Sequence, residues 1–148
     1  MDHKITALQA KLHEEIPLTR AMGLVVKSLT SDSVCLTAPL SNNINHKSTA
    51  FGGSLYSIAV LAGWSLIYSQ LQNRNLQGHI VIQESDIKYI KPVTTDIEAV
   101  CNIESPELLE RFIQTYLKKD MARIMLNTII RQDGVECVRF RGKYVMHR

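Results

Sequence analysis

The sequence predicts an α+β fold: a strongly curved antiparallel sheet wrapped around one long apolar helix, with a helix at the N-terminus and an extra helix between later strands. Three observations carry that reading. No residue between Lys47 and Arg74 is charged, yet the segment holds Gly52, Gly53, Gly63, five serines and two glutamines. It is too polar to span a membrane and too apolar for a surface helix, so it reads as a buried one. Around it lie three pairs of short, β-branched-rich segments. A sheet of that size covers such a helix from one side only. A homodimer is the economical way to cover the rest and an open sheet edge, and further pairing into a dimer of dimers is left open.

Each element follows from local pattern. Residues 2–15 place Ile5, Leu8, Leu12 and Ile16 near helical spacing, and Pro17 ends the run. Leu24 to Leu29 and Val34 to Ala38 read as a hairpin around "TSDS". The central helix spans about Gly53 to Leu71 and is broken by "NRNLQG". Ile80 to Ile90 is a long strand closed by Pro92, and Ile97 to Ile103 is another. In "SPELLERFIQTYLKK", Ser105 caps, Pro106 suits the first turn, and Leu108, Leu109, Phe112, Ile113, Tyr116 and Leu117 form one apolar stripe. Ala122 to Arg131 and Val135 to Met146 flank Asp133-Gly134, a strong hairpin signal.

Composition narrows the function classes. The 148 residues suit a single domain over 1–148, with 45% hydrophobic residues and a net charge of +3. No basic block is dense enough to track phosphates, so nucleic acid is not an expected partner. Cysteines at 35, 101 and 137 have no CxxC spacing, which argues against a disulfide framework or a zinc site and fits a reducing cytoplasm. The N-terminus, "MDHKITALQAKLHEE", has no apolar core of a signal peptide, and a cytoplasmic protein without membrane insertion is expected. No cofactor or metal is expected.

The segment "NINHKSTAFGGSLY" directs attention to chemistry. A helix N-terminus carries unpaired amide donors and a partial positive charge. Gly52 and Gly53 leave room for a carbonyl oxygen to approach, so the amides near Gly53 and Ser54 are candidate oxyanion donors. Asn45, on the loop before them, is the candidate side-chain donor, and Thr49 joins it as a candidate catalytic residue. His46 and Phe51 are candidate substrate contacts. Asn42, Asn43 and Ser48 read as turn and cap residues, which is also the plain alternative for the whole segment. Tyr89 reads as core or pocket wall. Arg139, Arg141 and Lys143 alternate on one strand face, a wet surface or a contact for coenzyme A phosphates or an acidic carrier protein. Glu84, Asp86 and Lys88 form a second charged row. Ser54 or Ser57 could suggest a nucleophile, but no nucleophile-elbow sequence surrounds them.

Three stretches, "IPLTRAMGLVV", "APLSNNINHKSTAFGGSLYSIAVLAGWSLIY" and "DIKYIKPV", carry a resemblance that covers nearly the whole chain. It resembles the hotdog fold, and within it the thioesterase-type family found elsewhere as a domain fused behind an acetyltransferase. The resemblance implies an acyl-thioester substrate carried by coenzyme A or acyl carrier protein, whose phosphopantetheine comes with the substrate. Hotdog thioesterases show an asparagine, five residues, then His-Gly-Gly entering the central helix. Asn45, Gly52 and Gly53 match that pattern, while Phe51 stands in the histidine's place. Val60 stands where many relatives have a carboxylate. Relatives in this family are malonyl-carrier-protein decarboxylases feeding fatty-acid initiation. The leading expectation is therefore decarboxylation of malonyl carrier protein to acetyl carrier protein. Hydrolysis of acyl thioesters is the alternative inside the enzyme class, and a non-catalytic binding or assembly module is the alternative outside it.

Overall fold

Asp2 opens the first helix by accepting the Lys4 amide on its side chain. In this computed structural model, which describes residues 2–148, α1 runs His3–Glu15 and a five-residue helix α2 follows at Leu18–Met22. Gly23 ends α2 at φ +67, a left-handed conformation that glycine adopts freely. The strands are β1 (Val25–Leu29), β2 (Ser33–Ala38), β3 (His79–Tyr89), β4 (Ile97–Asn102), β5 (Met121–Gln132) and β6 (Val135–His147). The long helix α3 is Gly52–Asn73 and α4 is Pro106–Lys119. The expected elements are present within a residue or two of their predicted limits. α2 and a single 3-10 turn at Leu40–Asn42 are additions.

All six strands form one sheet in the order β1-β2-β4-β5-β6-β3, and every neighbouring pair is antiparallel. The sheet wraps α3, which touches β2, β3, β4, β5 and β6. This is the hotdog arrangement. Leu55, Ile58, Ala59, Ala62, Leu66 and Leu71 of the helix meet Leu36, Ala99, Ile130, Val138 and Phe140 of the sheet in one core. Two side chains reach from the sheet to consecutive carbonyls mid-helix. Thr128 donates to Ala59 at 3.2 Å and Tyr144 donates to Val60 at 2.8 Å. Tyr144 seats its hydroxyl against Gly63, where a Cβ would collide with it.

The C-terminal half of α3 is tied down. Gln70 donates to the Ser31 carbonyl at 2.6 Å and Lys4 donates to Asn73 at 2.9 Å. α4 closes that end through the Arg74–Glu110 ion pair at 2.6 Å and through Tyr116, whose hydroxyl donates to the Gln77 carbonyl. α4 therefore buries Phe112, Ile113 and Tyr116 and packs on β5, as its apolar stripe predicts. No helix among the described residues is long and apolar enough to cross a membrane.

Candidate active site

The loop that feeds α3 is built by its asparagines. The buried Asn43 side chain donates to the carbonyls of Met22 (2.9 Å) and Pro39 (2.8 Å), and Asn42 donates to Ala21, tying the loop to α2. Asn45 folds the tip. Its Oδ1 accepts the amides of Lys47 (2.8 Å) and Thr49 (3.1 Å), while its Nδ2 donates to Thr49 Oγ1 (2.9 Å) and weakly to the Ala50 carbonyl (3.5 Å). An Asx turn of this kind, closed by an Ile44–Ala50 bridge and by Ser48 at φ +64, is a reason for so many small polar residues here. Sequence reasoning had the Asn45 amide donate to the substrate oxygen or hold a water. In the structure that amide faces Thr49, and only its long bond to Ala50 is readily exchanged. His46 lies exposed at the loop tip.

The first turn of α3 assigns its donors differently from the sequence reading. The Ser54 amide, like that of Leu55, is bonded to the Phe51 carbonyl at 3.0 Å, because the turn tightens there. The amides of Gly52 and Gly53 are the two at this helix start with no acceptor among the described residues. The donor pair thus shifts one residue toward the N-terminus. Phe51, in the N-cap position, lays its ring over Gly53 so closely that a Cβ there would overlap it. The space expected to be open above Gly53 is therefore occupied by an aromatic ring, and that ring is itself more than half exposed, at 55%. At Gly52 the nearest neighbour is the Tyr89 ring, at an ordinary 3.6 Å from where a Cβ would sit.

Tyr89 stands beside this turn and is half exposed, so it is not a core residue. Its hydroxyl donates to the Gly52 carbonyl at 3.0 Å. Burial first, and the neighbouring Tyr56 second, push its phenol above the ordinary range. Tyr56 and Ser85 are polar neighbours that sequence reasoning missed. Their hydroxyls share a hydrogen bond of 2.5 Å between α3 and β3. The tyrosine ring is fixed edge-on against Phe140. A signal was present in Tyr56 itself, which follows Gly52 by one helical turn. Ser57 spends its hydroxyl on the Gly53 carbonyl at 2.8 Å, so it is not poised as a nucleophile.

Beyond Tyr56 an apolar groove of ≈ 360 Å³ runs along α3. Tyr56, Ser57, Val60, Leu61 and Trp64 form one side, facing Ile80 and Ile82 of β3 and Ile16 and Leu18. Val60 sits in the middle of it. Trp64, stacked on Tyr68 and bonded to the Ile80 carbonyl, stands at its far end. A larger cleft of ≈ 700 Å³ between α1 and β1 lies elsewhere, and its polar groups close the β1 edge: Gln9 accepts the Val26 amide and His13 bonds the Leu24 carbonyl.

Arg139, Arg141 and Lys143 are not brought to this turn. On β6 they alternate with the inward-facing Val138, Phe140 and Tyr144, so they project from the outer face of the sheet, away from α3. Arg139 pairs with Glu136 at 2.5 Å and Lys143 with Glu84 at 2.9 Å, while Arg141 lies opposite Asp86 in the β3–β6 ladder. They face outward from the sheet rather than toward the first turn of α3.

A protein-family model described as "Putative thioesterase (yiiD_Cterm)" matches residues 5–148. Among solved structures, a protein of unknown function from Chlorobaculum tepidum TLS is 36% identical, with a TM-score of 0.93 over 97% of this chain and 93% of that one. The "putative thioesterase from Shewanella oneidensis" is 32% identical, with a TM-score of 0.89 over 100% of both chains. A Pseudomonas aeruginosa protein described as a probable thioesterase shares the fold at 21% identity, with a TM-score of 0.81 over 96% of this chain and 95% of that one.

Proposed function

Because this chain belongs to that thioesterase-type family, we propose that it processes acyl thioesters of coenzyme A or acyl carrier protein, and that its reaction is decarboxylation of malonyl carrier protein to acetyl carrier protein. One observation carries the choice. Two unpaired backbone amides, Gly52 and Gly53, open a long helix, and the side chains placed on that turn are Phe51 and Tyr89, with Tyr56 one turn on. None is a carboxylate or an imidazole. Hydrolysis needs a base to activate water. Decarboxylation needs the charge on the thioester oxygen to be stabilised as the carboxylate departs, and the amides supply that. Apolar walls such as Phe51 and Val60 favour loss of charge from the carboxylate as carbon dioxide.

Hydrolysis of longer acyl thioesters is the second reading, and the groove beside Val60 favours it, since ≈ 360 Å³ of apolar space exceeds what a malonyl group fills. Purified protein incubated with malonyl and acyl carrier protein separates the readings. Acetyl carrier protein is expected from the malonyl substrate. Free thiol instead would establish hydrolysis, and neither product would leave an acyl-binding or assembly module.

The site works as a homodimer. Four exposed apolar side chains gather near the start of α3, namely Ile44, Phe51, Tyr89 and Ile90, and β3 is an edge strand. A second copy along that edge covers them. A folded, monodisperse monomer at micromolar concentration would overturn this. The outer row Arg139, Arg141 and Lys143 serves the acidic carrier or the coenzyme A phosphates. Reversing these charges is expected to raise KM and flatten its salt dependence, and an unchanged KM across a salt series would remove the row from the carrier contact.

A further inference from the structure

We propose that Tyr56 and Ser85 form a proton relay, with Tyr56 delivering the proton that converts the enolate to acetyl thioester; this rests on the decarboxylation reading above. The geometry selects Tyr56. It follows the two unpaired amides by one turn of α3, and helical side chains lean back toward the N-terminus, over the preceding turn. It also lines the near end of the apolar groove. A thioester oxygen held by Gly52 and Gly53, with its acyl carbon directed toward the groove, therefore places that carbon at the Tyr56 side chain. Two other hydroxyls near this junction are committed to main-chain carbonyls. Tyr89 donates to Gly52 and Ser57 donates to Gly53. Tyr56 alone of the three is bonded to another hydroxyl, Ser85, at 2.5 Å, and within its own chain Ser85 is exposed on β3. A hydroxyl pair can pass a proton along, whereas a hydroxyl spent on a carbonyl ends the chain.

The balance of the step is complete with water as the proton source. The bond between Cα and the carboxylate carbon breaks, its electron pair moves into a new Cα–carbonyl-carbon double bond, and the thioester oxygen takes the negative charge while carbon dioxide leaves. The enolate Cα then takes the Tyr56 hydroxyl proton as the oxygen's charge returns to re-form the carbonyl. The phenolate recovers a proton from Ser85, which recovers one from solvent. Net, one malonyl thioester anion and one proton give acetyl thioester and carbon dioxide.

The test compares wild type with Tyr56→Phe and Ser85→Ala, following acetyl carrier protein formation in H₂O and D₂O. Tyr56→Phe keeps the ring that packs on Phe140, and a thermal melt checks that each variant is folded. The relay predicts a fall in kcat of tenfold or more for Tyr56→Phe with KM within twofold, a smaller fall for Ser85→Ala, and a solvent isotope effect that differs from wild type in both. A folded Tyr56→Phe protein with wild-type kcat and isotope effect would overturn the relay alone. If Tyr56→Phe does not fold, Ser85→Ala decides by the same criterion. A wild-type protein that releases no acetyl product would overturn the decarboxylation reading, and the relay with it.

Discussion

The two ends of α3 are built to opposite specifications. From Gly63 onward the helix is packed and tied, with Tyr144 wedged against Gly63 and with Gln70, Asn73 and Arg74 held by distant partners. Its first turn is left open, with two bare amides, an exposed phenylalanine across Gly53 and a groove beginning at Tyr56. Both ends contain a glycine pressed by an aromatic ring, so the same substitution can be made at each. What differs is whether the ring can give way. Tyr144 is fully buried and hydrogen-bonded, whereas Phe51 is more than half exposed within its own chain and is held there by no such bond. The contrast teaches that one helix can be anchored and accessible at once, provided the anchoring is confined to one end.

The largest effect expected from breaking this contrast is at the anchored end. Gly63→Ala sets a methyl against the Tyr144 hydroxyl and displaces its bond to Val60, which should cost about 3 kcal/mol or more through overpacking and a stranded buried hydroxyl. Urea denaturation would register it as a lower midpoint, and an unchanged midpoint would mean that the helix is not pinned there. Next in size is Asn45→Ala at the open end, where turnover should fall on the order of a hundredfold with the fold intact, through loss of the loop that presents the amides or of a donor to the oxyanion. Asn45→Asp retains the acceptor for Lys47 and Thr49 but not the donor. It should not rescue decarboxylation, whereas a hydrolase would keep or gain activity, so the product formed by this variant tells the two chemistries apart.

Gly53→Ala sharpens the comparison because it is the counterpart of Gly63→Ala. Helix propensity favours alanine by up to about 1 kcal/mol, and the displaced Phe51 ring is not packed into the core of its own chain, so the stability of the chain's fold should hold or rise. Turnover should drop by roughly tenfold as the methyl crowds the donor amides, a loss of about 1.4 kcal/mol in the transition state. A variant impaired in stability rather than in turnover would contradict the picture of an open end. The smallest effect concerns Tyr89, whose phenol lies above its reference value of 10.0. A raised folded-state value means that the protonated form is favoured on folding. The contribution is thus fully present below about pH 10 and is lost as pH rises through the folded value. Tyr89→Phe should flatten that alkaline decline in thermal melts, and an unaltered slope would assign the decline to other groups.

Sequence alone made the scaffold legible wherever a local rule sufficed. Ser105-Pro106 marked the start of α4, Asp133-Gly134 marked the β5–β6 turn, and the charge-free stretch marked α3 as the helix to be wrapped. α2 escaped because five residues are too few to show a helical period, although Gly23 marks its end. The site was half legible. Asn45, Gly52 and Gly53 stand out in one short segment. The donor pair could not be fixed to Gly52 and Gly53 rather than Gly53 and Ser54, because that depends on how tightly the first turn winds. Tyr56 and Ser85 are 29 residues apart on different elements, so only the packing of β3 against α3 brings them together. Alternation put Arg139, Arg141 and Lys143 on one face, but which face the helix covers is a property of the whole sheet.

The two donors at the open end belong to the main chain. A side-chain donor is removed by any change of residue, but an amide hydrogen survives every substitution except proline. The residues around such a helix, Phe51 and Val60 here, can be exchanged without removing its two amide donors. What fixes the position of those donors is then a backbone trajectory, held by Asn43 and Asn45.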